Sequence, residues 1–132
     1  MTDPDRRGRC YELAALALIN GDCPEGAVLV HGYPRLSAGE REGQVYGHAW
    51  LEWTVIVEHP QFEDCKMRIT TVWDPVVDRR ETAAIYYHFG RIDDAQSQRY
   101  DLESLRKMLM EHRHWGPWEN IPEGAHFNQE EP

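Results

Sequence analysis

The chain has 132 residues, 41% of them hydrophobic and 28% charged, which suits one folded domain with a real core and excludes a chain disordered throughout. Its 23 acidic residues against 14 lysines and arginines give a net charge of -9, and non-specific nucleic-acid binding, which rests on a concentrated positive surface, is not expected. No apolar run reaches the roughly 20 residues that span a bilayer, so no membrane partner is expected; the first residues lack the apolar region of a secretory signal, and three irregularly spaced cysteines fit free thiols in a reducing, cytoplasmic compartment.

Residues 1–7 are polar and read as a flexible leader, 8–118 as a single domain, and 119–132 as a polar tail. From Cys10 to Ile19 the Ala and Leu content favours helix, and the apolar residues lie nearly all round it, so this helix is expected to be central and buried. Asn20-Gly21-Asp22 stops it and Cys23-Pro24-Glu25-Gly26 turns the chain into a short strand at 27–33. Residues 35–44 form a polar connection. The principal strand follows, from Val45 to Glu58, the longest apolar and β-branched stretch of the chain. Alternation places Gly47, Ala49, Leu51, Trp53, Val55 and Val57 on one face and His48, Trp50, Glu52, Thr54 and Ile56 on the other. A loop over 59–65 leads to a third strand at 67–73, and the connections are too short for crossover helices, so the three strands are expected to be antiparallel neighbours.

Beyond Asp74-Pro75, residues 82–92 read both ways: Glu81 to Ala84 suits a helical start, whereas Ile85 to Phe89 suits a strand. Arg99-Tyr100 reads as a brief edge strand. Asp101 to His112 reads as a helix with Asp101 as N-cap and a packing stripe of Leu102, Leu105, Met108 and Leu109. The expected fold is therefore α+β, an N-terminal helix against a small antiparallel sheet with a C-terminal helix.

Three stretches carry chemistry. A cysteine nucleophile works as thiolate, and Cys10 lies in the first turn of its helix, where free backbone donors and the helix dipole favour an anion. His48 supplies a proton carrier, and Asp74, at the end of the strand expected to pair with the principal one, can accept from its far ring nitrogen and fix its tautomer. Candidate oxyanion or substrate-binding groups are Cys10 and Tyr11 through their backbone N–H, and the side chains of Gln44, Tyr46 and Trp50. Plainer readings compete: a free cysteine on an apolar helix is often only a small buried residue, and Asp before Pro is a good turn former. Cys23 and Cys65 read as turn and loop residues. A metal set drawn from Cys10, Cys23, His31, His48 or Cys65 lacks the close ligand pair of a structural zinc site. No phosphate loop or dinucleotide fingerprint is present, so no metal and no cofactor are expected. His88, His112 and His114 read as surface groups, Trp50, Trp53 and Trp73 as sheet core, and Trp115 and Trp118 as anchors of the C-terminal segment.

Gly8-Arg9-Cys10-Tyr11, His48-Ala49-Trp50 and Val72-Trp73-Asp74-Pro75, in that order, resemble the papain-like thiol hydrolase superfamily, especially its transglutaminase-like branch, over about residues 8–75. Tyr86-Tyr87 and Gly116-Pro117-Trp118 add a looser similarity to small bacterial and phage proteins of this type. The resemblance implies a papain-like core and acyl transfer or hydrolysis of an amide, peptide or ester bond through a thioester, with Cys10 as nucleophile, His48 as base and acid, and Asp74 as orienter. The alternative is a non-catalytic peptide- or protein-binding module, or an accessory protein, on the same scaffold. Assembly into a homo-oligomer is left open, a dimer being the background expectation.

Overall fold

A computed structural model describes residues 9–127. The leader expected over residues 1–7 and the last five residues of the expected tail lie outside that range. Helix α1 (Cys10–Ile19) is followed by strands β1 (Val28–Gly32), β2 (His48–Glu58), β3 (Lys66–Asp74) and β4 (Arg79–Thr82), helix α2 (Ala83–Gly90), strand β5 (Gln98–Tyr100) and helix α3 (Leu102–His112). The strands form one sheet in the order β4-β3-β2-β1-β5, every neighbouring pair antiparallel. The fold is thus α+β, with α1 and α3 on one face of the sheet and α2 on the other.

The alternation of β2 decides what each face holds. Ala49, Leu51 and Trp53 join Leu29 of β1 in a core packed against the buried side of α1 and Leu105 of α3. Trp50 points the other way and packs with Val30 and Val72 under Tyr86 and Tyr87 of α2. Gly32 meets the edge of the Trp50 indole, and a Cβ there would overlap the ring, so the absence of a side chain at position 32 is what makes room for the indole. Burial on both faces, continuous from His48, ends at Trp53. From Thr54 to Ile56 the β2–β3 hairpin runs beyond the helices and is exposed on both faces.

Two expectations need correction, and one open alternative is resolved. The principal strand was expected from Val45, but β2 begins at His48; Val45 and Tyr46 make only isolated bridges, to Arg35 and His126. The regular ladder is interrupted at Pro34, which has no N–H to donate, and pairing resumes in the same register only at the Arg35–Val45 bridge. The ambiguous stretch 82–92 is neither pure helix nor pure strand: Arg79–Thr82 pairs with β3, and Thr82, in an extended conformation, opens directly into α2. The stretch expected as a polar tail from Glu119 is, up to Phe127, part of the domain. Tyr100 donates to Glu119 at 2.9 Å, and Phe127 packs against the α1 core. Asp101 does cap α3, its carboxylate accepting from the Ser104 N–H at 2.8 Å.

Candidate active site

Cys10 is the first residue of α1, and Arg9 at the N-cap supplies no side-chain cap, which leaves the first-turn N–H groups without an intrahelical acceptor. His48 opens β2. The β2–β3 register pairs Leu51 with Trp73, so one further step sets Asp74 opposite Trp50 and diagonal to His48 on the same face. The geometry follows: His48 Nε2 lies 2.7 Å from Asp74 Oδ2, and both residues are buried. Nδ1, the other ring nitrogen, is buried and has no hydrogen-bond partner among the described residues, which leaves it as the one available to Cys10.

Burial opposes a charge on His48, but the Asp74 carboxylate, the nearby Cys10 sulfur and the hydrogen bond to Asp74 outweigh it and raise the imidazole well above the ordinary histidine range. Burial likewise works to raise Asp74, and the charge on His48 with donors from His48, Tyr86 and the Val76 N–H overcomes it and lowers the carboxyl. The two directions agree: the arrangement favours an imidazolium–carboxylate pair with sulfur beside it.

Asp74 is held from three sides. Besides His48, the Tyr86 hydroxyl donates to Oδ2 at 2.9 Å and the Val76 N–H to Oδ1 at 3.1 Å. Tyr86 therefore positions the carboxylate that positions the imidazole. Its Asp74 bond comes from a helix whose existence the sequence left undecided. Tyr86→Phe is expected to cost about 1.5–3 kcal/mol at neutral pH, the value of a hydrogen bond to a charged group. Asp74 is depressed in the folded protein, so the stability it contributes is present above the ordinary carboxyl range and disappears as pH falls through its folded value. The gap between parent and variant in urea unfolding should accordingly shrink toward acid pH; a gap independent of pH would mean that Tyr86 acts only by packing.

The expected oxyanion and substrate-binding residues are dispersed. The Tyr11 side chain is buried against His31, leaving only its backbone N–H, in the first turn of α1, on the Cys10 side. Gln44 sits in the connection before β2 and does not line the cleft beside His48. Tyr46 does line it, its ring centroid 6.3 Å from that of His48. Trp50 cannot serve: it is fully buried and its indole N–H is committed to Glu52 at 2.8 Å. Glu52 in turn accepts from Tyr87 and from Arg99, the latter at 3.2 Å, a buried carboxylate network that the sequence did not reveal and that locks Trp50 and α2 onto the sheet.

The cleft beside His48 and Asp74 encloses about 220 Å³, and its apolar lining includes Pro34, Val77, Phe89 and Ile92. Cys23 is half-buried at the end of α1 and pushed up to about 11 by burial and by Asp22, while Cys65 is exposed in the β2–β3 loop; neither is near His48 in the fold. Among the described residues no helix is long and apolar enough to cross a membrane. No family model, curated protein or solved structure matches the chain.

Proposed function

We propose that this protein is a cysteine-dependent hydrolase or acyltransferase that opens an amide, peptide or ester bond through a thioester, on a papain-like scaffold of transglutaminase-like type. The observation that carries the reading is the buried His48–Asp74 pair, joined Nε2 to Oδ2 at 2.7 Å, in a chain whose first helix opens on a cysteine. In the forward step the Cys10 thiolate attacks the acyl carbon and a C–S bond forms. The bond to the leaving amine or alkoxide breaks, and that group takes the proton held on His48. In the second step neutral His48 removes a proton from water or an amine, the acceptor displaces sulfur, and the thiolate–imidazolium pair is restored. Asp74 stays ionised throughout and keeps Nε2 as the donor. First-turn N–H groups of α1 face the developing oxyanion. The three unpaired thiols suit a reducing, cytoplasmic setting.

Exposure to a panel of activated acyl esters and peptide amides, followed by intact-protein and peptide mass spectrometry, tests the reading. An acyl adduct on Cys10 alone, absent from Cys10→Ala, is expected. Adducts spread over Cys23 and Cys65 as readily would overturn it. One observation favours the non-catalytic binding module instead: Cys10 is only 2% exposed. Unchanged peptide binding by Cys10→Ala, with no adduct on the parent protein, is the outcome that reading requires.

A further inference from the structure

The backbone just before β2, next to His48, is paired with a distant segment of the chain. Successive residues of an extended chain direct their N–H and C=O groups to opposite edges. The Tyr46 N–H bonds the Pro34 carbonyl at 3.0 Å, on the β1 side. The groups of Val45 and Gly47 therefore point to the other edge, the β3 side, and β3 does not reach them because it ends at Asp74 before Pro75. That uncovered edge lies immediately before His48. It is filled by the chain's own C-terminal segment: the Gly47 N–H donates to the His126 carbonyl at 2.7 Å, and the His126 N–H donates to the Val45 carbonyl at 2.9 Å, a short parallel bridge.

The next side chain is seated as well. Phe127 packs into the core cluster that contains Cys10 and Tyr11, its ring 6.5 Å from that of Tyr11. A Cβ on Gly47 would overlap both the Phe127 ring and the Tyr11 hydroxyl, so glycine makes the floor of this pocket. Among the described residues that hydroxyl, buried beside the ring, has no hydrogen-bond partner, a polar group that residues 125–127 leave unanswered. Main-chain pairing along an edge combined with a side-chain pocket is how an extended peptide is recognised.

We infer that the Val45–Gly47 edge is the main-chain subsite for an extended polypeptide substrate, with the Gly47–Tyr11 pocket taking a bulky apolar side chain, and that residues 125–127 occupy this subsite as an internal competitor. The inference rests on the acyl-transfer reading for its chemistry and adds the substrate class. A polypeptide carrying an aromatic residue is selected over a small amide or ester, since only a chain reproduces the two backbone bonds.

The test measures the iodoacetamide rate at each cysteine in the full chain and in two variants. Phe127→Ala empties the pocket; His126→Pro removes the N–H donated to Val45. Losing one backbone bond or one seated ring from a locally opening segment should accelerate Cys10 about tenfold while leaving Cys23 unchanged. A blocked synthetic peptide of residues 122–127, added in excess to either variant, should return Cys10 toward the parental rate. Cys10 rates within about twofold of the parent in both variants would overturn the inference, as would Cys23 accelerating in step or the peptide failing to protect. His48→Ala in the Phe127→Ala background separates the two ideas: exposed Cys10 with no dependence on His48 sinks the acyl-transfer reading, whereas His48-dependent reactivity with no effect of Phe127 sinks the subsite.

Discussion

Replacing His48 with alanine will change the pH dependence of Cys10 alkylation more than any other single substitution in this protein. An ordinary thiol is about 1% thiolate at pH 6.5, and its alkylation rate rises about tenfold per pH unit until it ionises near pH 8.5. On the acyl-transfer reading, the His48–Asp74 pair activates the Cys10 sulfur, so the parental rate should rise less steeply with pH than that of an ordinary thiol. In His48→Ala the full tenfold slope should return. The slope is the quantity to read, because the burial of Cys10 is common to the parent and the variant and cannot by itself produce a difference in slope between them. Asp74→Asn should fall between the two, keeping the ring in place while removing the charge that favours imidazolium. Cys23 serves as an internal control, since burial and Asp22 keep it a thiol throughout this range. Parallel slopes for Cys10 in the parent and in His48→Ala would remove the basis for an activated nucleophile.

The parts of this site that were legible in the sequence are those set by local periodicity. The composition of Cys10 to Ile19 gave a buried helix with the cysteine in its first turn, and strand alternation put His48, Trp50 and Glu52 on one face. Antiparallel pairing of neighbouring strands then brought Asp74 to His48. What stayed hidden depends on register and on long-range closure. Tyr86 reaches Asp74 only because residues 83–90 are helical, and the apolar run there fits strand equally well, so the direction of its side chain was undetermined. Glu52 lies two residues from Trp50 on one strand face, a visible spacing, but its partners Tyr87 and Arg99 come from elements whose packing no pattern fixes. The pairing of His126 with Val45 and Gly47 uses backbone atoms alone, which every residue carries, and so left no trace in side-chain chemistry. His31 was weighed only as a metal ligand. The available signal was its position two residues after Leu29, on the inward face of a central strand.

That buried histidine should dominate the response of the fold to acid. His31 is 1% exposed, ringed by Tyr11, Tyr100 and Trp118 at centroid distances of 4.8, 5.1 and 4.9 Å, and neither of its ring nitrogens has a hydrogen-bond partner among the described residues. Burial pulls it down to about 3 from the ordinary value of 6.5. The titratable groups facing it, Tyr11 and Tyr100, are themselves pushed above the ordinary phenol range by burial and offer no negative charge in acid. Below about pH 6.5 the unfolded chain therefore binds a proton at this position that the folded chain refuses, so stability declines as pH falls and stops declining below about 3. The full loss is about 4–5 kcal/mol, at roughly 1.4 kcal/mol per pH unit, a large share of the stability of a domain this size. His48 acts with the opposite sign: its contribution is complete below the ordinary histidine range and is lost only as pH rises through its elevated folded value. Urea unfolding of the parent and of His31→Phe, which fills the same aromatic space without a titrating group, isolates the effect. Relative to the parent, the variant should gain about 3 kcal/mol between pH 6.5 and 4. Parallel profiles over that interval would mean that His31 finds a way to carry its proton inside the fold. The consequence reaches the active site, because the ring that closes over His31 is Trp118, in the segment that leads to Phe127. Mild acid should thus loosen that segment before the sheet itself, and Cys10 should gain reactivity relative to Cys65 in the same pH interval.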